Sequence, residues 1–154
     1  MILKGSVFVD CSPEELWPHI RDPRLRKEWD SRIRAVVPVS GGAPSAGSRF
    51  RIRFKLSGTE SNFQAEIMEY DEPERLVLHL SGGWLPFRGY IQEIYLLKEF
   101  QTGTLVKYSI EIHRPGINLF FKSRIFLTHL LHSSSKRELR RLKDFAEAIK
   151  NLKL

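Results

Sequence analysis

Cysteine is almost absent: Cys11 stands alone in 154 residues. One thiol closes no internal disulfide and builds no cysteine-based metal cluster, so a reducing, cytoplasmic setting is the default. Long apolar runs are missing too. None approaches the ~20 residues that a membrane-spanning helix needs. The opening stretch, Met1 to Asp10, alternates and does not run from a charged segment into an apolar one, so no secretory signal is expected. There is no GxSxG, no glycine-rich phosphate loop, no HExxH and no usable Cys/His pair. Internal repeats, low-complexity tails and linkers are lacking as well. These absences leave a single domain over 1–154, with no catalytic motif, no metal site and no cofactor signature.

What is present suits a packed domain. The hydrophobic content of 42% is ordinary for a globular protein. The net charge of +7 is more informative. Basic proteins are drawn to nucleic acid, anionic membranes or acidic partners, although solubility alone also explains such a balance. Residues 136–154 carry seven Lys/Arg against three Asp/Glu, a net of +4, so more than half of the excess lies at the end of the chain.

That end reads as one long helix. Leu139, Leu142, Phe145, Ala146, Ile149 and Leu152 recur at steps of three and four, which places them on one stripe. Lys136, Arg137, Arg140, Arg141, Lys143 and Lys150 fall largely on the other faces. From Thr128 to Leu152 the helix would be about 37 Å long. An element of that length needs a wide apolar surface beneath it.

The middle of the chain supplies one. Ile2 to Val9 is a first strand. Ser12-Pro13-Glu14-Glu15 announces a helix, with Ser12 as N-cap and Glu15 completing a capping box. It should stop near Asp22-Pro23, and a second short helix covers about Arg24 to Trp29. Strands then follow over Ile33 to Val39, Arg49 to Leu56, Asn62 to Tyr70, Arg75 to Leu80, Arg88 to Glu99 and Thr104 to Arg114. In Arg49-Phe50-Arg51-Ile52-Arg53-Phe54-Lys55-Leu56 basic and apolar residues alternate strictly, giving one wet face and one buried face. The final helix begins between Asn118 and Ser123. Segregated strands and helices with short turns predict an α+β fold, an antiparallel sheet curled around one long helix.

The order of elements and several short motifs resemble the START-like superfamily, also called SRPBCC, and within it the polyketide cyclase/dehydrase-like proteins. The matching residues are Ser12-Pro13-Glu14-Glu15-Leu16-Trp17 with Asp22 and Trp29, Glu69-Tyr70-Asp71-Glu72-Pro73 running into Arg75-Leu76, Gly103-Thr104-Leu105-Val106, and Leu139 with Leu142-Lys143. The resemblance implies a helix-grip fold: a curved antiparallel sheet of about seven strands around a long C-terminal helix, with two short helices after the first strand. It also implies an elongated apolar cavity between sheet and helix. Members of this superfamily bind lipids, sterols, quinones, polyketides or plant hormones; a few catalyse cyclisation or dehydration, and others are protein-binding modules.

Under that reading the alternation rule assigns Phe54, Phe63, Leu78, Leu80, Tyr108, Ile110 and Ile94 to the concave face, and Tyr90 and Gln92, on the parity of Ile94, to the cavity with them. Trp29 would close one end, whereas Trp17 belongs to the core. Stepping back by sevens along the helix brings Phe121, Ile125, Thr128, His132 and Ser135 to the same stripe, which turns small and polar there. Gly82-Gly83-Trp84-Leu85-Pro86-Phe87 and Pro115-Gly116-Ile117-Asn118-Leu119-Phe120-Phe121 read as apolar loops at the cavity entrance or as plugs, with Trp84 and Phe87 candidates for ligand or membrane contact. The stripe Arg49, Arg51, Arg53, Lys55 should face solvent, with Glu66 pairing part of it. No aromatic ladder is legible on that face, which argues against nucleic acid.

The expected function is binding of a hydrophobic small molecule, a lipid, quinone or polyketide-like compound, by a monomer with peripheral membrane contact. One alternative is a cyclase or dehydratase using Tyr108, Gln92 or His132; Glu69 is a further acid/base candidate, though a solvated one. The other is a protein- or RNA-binding module that uses the basic surface.

Overall fold

A computed structural model of the chain describes residues 2–56, 58–85, 87–113 and 121–153, with the backbone alone for 121–133. The elements run β1 Ile2–Val9, α1 Pro13–Arg21, α2 Pro23–Arg26, β2 Ile33–Pro38, β3 Arg49–Leu56, β4 Thr59–Asp71, β5 Arg75–Gly82, β6 Tyr90–Phe100, β7 Gly103–His113 and α3 Phe121–Leu152. The seven strands form one antiparallel sheet in the order β1-β7-β6-β5-β4-β3-β2. Consecutive strands from β2 to β7 therefore pair as a meander, and β1 adds to the far edge against β7. Register shifts in β4 between Ile67 and Glu69, and in β2 between Ile33 and Ala35, bend the sheet.

Local chemistry sets the ends of the short helices. Ser12 Oγ accepts from the Glu15 amide at 3.2 Å, and the Ser12 amide donates back to Glu15 Oε1 at 3.4 Å. Asp22 then ends α1 and caps α2, accepting from the Arg24 amide at 3.0 Å. The second helix is shorter than its pattern predicts and stops at Arg26. The residues after it turn inward, where Trp29 Nε1 donates to the His19 carbonyl at 2.9 Å. Trp17 is core, as expected, and its Nε1 donates to Tyr70 Oη at 3.1 Å.

The last helix is the longest element, 32 residues or about 48 Å. Leu139, Leu142 and Ala146 are buried on its inner stripe. Fully burying each leucine contributes about 1.5–3 kcal/mol. Gly5 on β1 makes room for the contact: a Cβ there would sit 3.1 Å from Leu139 Cδ1. Burial then fades through half-exposed Ile149 to Leu152, which is 86% exposed, so the predicted stripe ends one turn early.

Candidate functional site

The inner face of β6 is apolar except at one position. Ile91, Tyr95 and Leu97 are buried, and so is Glu93 between them. A carboxylate in such a row needs a partner, because a buried unpaired charge costs several kcal/mol. Arg26, the last residue of α2, supplies it. Its Nη1 and Nη2 both donate to the Glu93 carboxylate, the latter at 3.1 Å. Arg26 Nε donates to Asp30 Oδ2 at 2.9 Å. Asp30 in turn accepts from Arg32 Nε at 2.9 Å and Nη2 at 2.8 Å. Tyr108, across the strand boundary on β7, donates its hydroxyl to Glu93 Oε1 at 2.8 Å. The Arg26 guanidinium also lies 5.4 Å from the Tyr95 ring centroid and 5.8 Å from that of Trp29. Two cations and two anions thus form one neutral, buried network. The spacing that permits it is local: Arg26 and Asp30 are one helical turn apart, and Arg32 reaches back over two residues at the entry to β2.

This packing decides the ionisation of each member. Burial alone would push the Asp30 carboxyl up, but Arg32 and Arg26 beside it hold it well below the usual carboxylate range. Glu93 behaves alike: burial pushes it up, and Arg26 more than reverses this. Burial works against both guanidiniums, yet Glu93 keeps Arg26 charged and Asp30 keeps Arg32 charged. Burial, with Glu93 second, pushes the Tyr108 hydroxyl well above its ordinary value.

The network opens onto a small cavity. Arg32 and Glu93 line it together with Phe54, Leu56, Phe63, Leu80, Trp84, Ile91 and Ile110, and its volume is about 30 Å³. That is room for about two water molecules. Three rings build its rim, with Phe54 edge-on to Phe63 at 5.6 Å and Phe63 edge-on to Trp84 at 5.9 Å. Trp84 reaches this position from a tight turn. Gly83 adopts a φ of +58°, and a Cβ on it would lie 2.6 Å from the Phe63 ring. Only glycine fits there. One donor at this site is left over. The hydrogen bonds of Arg32 run through Nε and Nη2, and Nη1 donates to none of the described residues.

A further buried carboxylate ties the helix to the same loop. Glu138 on α3 accepts from the Ser31 amide at 2.9 Å and from the Ser31 hydroxyl. Arg137 Nε also donates to it at 3.1 Å, and Arg141 Nε lies 3.5 Å away. Arg141 Nε further donates to the Trp29 carbonyl at 2.9 Å. The loop carrying Asp30 and Arg32 is therefore pinned from above by α3.

The residues expected in the cavity divide into four groups. Phe54, Phe63, Leu80, Trp84 and Ile110 line it together. Trp29, Leu78 and Tyr108 are buried beside it, Leu78 as the register partner of Glu93, and Ser135 is buried on α3. Two assignments are corrected. Tyr90 and Gln92, with Ile94, lie on the convex face, because both parities of β6 carry apolar residues and the buried one is that of Ile91, Glu93, Tyr95 and Leu97. Phe87 is 87% exposed: the turn folds Trp84 and Leu85 inward but leaves Phe87 outside, under the Arg88 guanidinium. The side chains of Phe121, Ile125, Thr128 and His132 lie outside the described residues, as does the loop over 115–120. Glu69 is exposed and paired with Arg75 at 2.6 Å. Among the described residues no cluster could hold a metal ion, and no helix is long and apolar enough to cross a membrane.

Sequence reasoning missed Arg26, Asp30, Arg32, Glu93 and Glu138. A signal existed for two of them, the i,i+4 pair Arg26/Asp30. Glu93 would have stood out as a charge within an apolar row had the parity of β6 been read correctly.

Comparison with known proteins agrees with this fold. The profile of the family described as polyketide cyclase / dehydrase and lipid transport matches residues 2–147. No curated protein matches the chain. Among solved structures, a protein from Thermus thermophilus is similar at 16% identity, with 97% of this chain and 99% of that chain covered and a TM-score of 0.79. A START superfamily protein from Mycobacterium smegmatis is 13% identical over 96% of this chain and 98% of its own, with a TM-score of 0.77. The Zhui aromatase/cyclase from Streptomyces sp. R1128 is 12% identical over 96% and 93%, with a TM-score of 0.75. At these identities the likeness is one of fold.

Proposed function

The chain belongs to the polyketide cyclase / dehydrase and lipid transport family, and on that premise we propose that it binds a hydrophobic small molecule between the sheet and α3, with an oxygen of that molecule accepting a hydrogen bond from Arg32. The observation that carries this reading is a buried guanidinium on the wall of an otherwise largely apolar cavity, whose Nη1 donates to none of the described residues. A ligand site of this kind takes its affinity from shape and its orientation from one or two polar groups. Here the aromatic rim formed by Phe54, Phe63 and Trp84 suits a planar or unsaturated body, and Arg32 suits a carbonyl, carboxylate or phenolic oxygen. The cavity must widen to admit such a body. The Gly82-Gly83 turn gives Trp84 the freedom to swing out, and exposed Phe87 on the same turn offers a contact with a bilayer from which the ligand is collected.

Binding fits the network better than proton transfer does. Asp30 and Glu93 are held ionised by guanidiniums and are weak bases, and Tyr108 is a weak acid. Native mass spectrometry of the purified protein, followed by organic extraction, tests the proposal. A discrete lipid, quinone or polyketide adduct is expected on the wild type. Leu80→Trp, which fills the cavity, should remove the adduct while circular dichroism keeps its native form. A wild-type chain that carries no adduct and takes up nothing from a panel of lipids, quinones and polyketides overturns it.

A further inference from the structure

The convex face of the sheet carries a second concavity, a groove of about 230 Å³ across β3, β4 and β5 whose walls include Arg49, Arg51, Gln64, Glu66, His79 and Ser81. We propose that this groove binds single-stranded nucleic acid, one base seated against His79 and the backbone running along the cations of β3. The proposal is independent of the inner cavity.

Three observations carry it. The first is an aromatic stack that alternation could not reveal, because it runs across strands. His79 on β5, Tyr90 on β6 and His113 on β7 stack nearly parallel, with centroids 4.6 Å and 4.4 Å apart and interplanar angles of 21° and 15°. Tyr90 covers one face of His79. The other face is turned toward β4 and borders the groove, where Glu66 is the register partner of His79. Base–aromatic stacking of this type tolerates any sequence.

The second is unpaired positive charge at a suitable spacing. Arg49 and Arg51 are exposed and form no ion pair among the described residues, although Glu66 stands directly opposite Arg49 in the register. Arg53 makes a loose exposed contact with Glu60 at 3.5 Å. Alternate residues of a strand lie about 6.7 Å apart, comparable to the phosphate repeat of an extended single strand. Gln64, Ser81 and Glu66 on the floor add donors and acceptors for base edges. A lipid headgroup or an acidic peptide would use the cations but leave the ring face idle, which is why the stack decides for nucleic acid.

The third is that four cations of the other basic element already have partners, which leaves Lys136 and Arg140 exposed there as the comparison. On α3, Arg137 donates to Glu138, Arg141 to the Trp29 carbonyl, Lys143 to the Phe8 carbonyl and Glu147, and Lys150 to the Asp10 carbonyl.

Fluorescence anisotropy with a labelled oligouridylate decamer, titrated at several salt concentrations, tests the assignment. The wild type should bind at low salt. Arg49→Gln/Arg51→Gln should weaken binding at least about tenfold and flatten the plot of log K against log salt by roughly 1.4, two contacts at about 0.7 each. His79→Ala should weaken it about fivefold or more without changing that slope. Lys136→Gln/Arg140→Gln on the exposed face of α3 should leave it within about twofold, and thermal melts confirm that each variant folds. No binding by the wild type at low salt overturns the proposal. So does binding that survives the β3 and His79 variants, or binding lost to the α3 variant instead. Anionic vesicles bound with the same dependence on Arg49 and Arg51 but none on His79 would also overturn it, in favour of a membrane surface.

Discussion

The two faces of one sheet handle charge in opposite ways. On the concave side Arg26, Asp30, Arg32 and Glu93 are buried together, and every carboxylate oxygen has a guanidinium or hydroxyl against it. On the convex side Arg49 and Arg51 stand in solvent without an ion-pair partner among the described residues. Adjacent residues of β6 belong to these two regimes: Gln92 points out and Glu93 points in. The contrast teaches where the same side-chain type holds structure and where it is free to hold a ligand. A buried pair is rigid because breaking it strands a charge in a low dielectric. An exposed cation contributes almost nothing to folding and is available.

The largest expected effect comes from breaking the inner side. Arg26→Met leaves Glu93 without its bidentate partner and should lower stability by about 3–5 kcal/mol, a Tm fall of roughly 6–20 °C, read by calorimetry. The double variant Arg26→Met/Glu93→Met removes both charges and should recover most of that loss; a double variant as unstable as the single one would mean that shape, and not charge pairing, dominates. Glu138→Gln should cost about 1–3 kcal/mol by urea unfolding, since three donors and the nearby Arg141 cation at the α3 clamp lose a full charge.

Acid sharpens the comparison further. Asp30 and Glu93 have folded-state values below their ordinary 3.8 and 4.5. Stability from the network is therefore fully present above about pH 5 and is lost as pH falls through the ordinary carboxylate range. The slope should be roughly 1.4 kcal/mol per pH unit for each carboxylate. The urea midpoint of the wild type should drop over that window, and that of the double variant should drop less. The smallest effect is expected outside. Arg49→Gln/Arg51→Gln should change stability by no more than about 0.5 kcal/mol, so any larger shift would show that those cations are structural after all.

Much of this architecture was legible because it rests on patterns within one element. The alternation from Arg49 to Leu56 has a single solution, and the Ser12/Glu15 capping box announces α1 without ambiguity. The cavity walls at Phe54, Phe63, Leu80 and Ile110 followed from the same rule. What could not be read involves groups distant in sequence. Arg26 and Glu93 are 67 residues apart, and their mutual satisfaction exists only once α2 lies under β6. The β6 parity failed for a related reason: Ile94 and Leu96 make the wet side look as apolar as the dry one. The His79–Tyr90–His113 stack was invisible because each ring belongs to a different strand.

The Ser31–Glu138 bond spans 107 residues of chain. During synthesis the meander from β2 to β7 can assemble by pairing each strand with its predecessor, a run of short loop closures. The edge strand β1 must wait for β7, and the loop that sets Asp30 and Arg32 must wait longer still, until α3 has left the ribosome. High sequence separation of this kind slows folding. By that order the sheet can pair before the Ser31–Glu138 contact closes over its inner face. Stalled or C-terminally clipped chains would carry a formed sheet with an exposed inner face, the state most prone to self-association and the one a chaperone would be called on to shield.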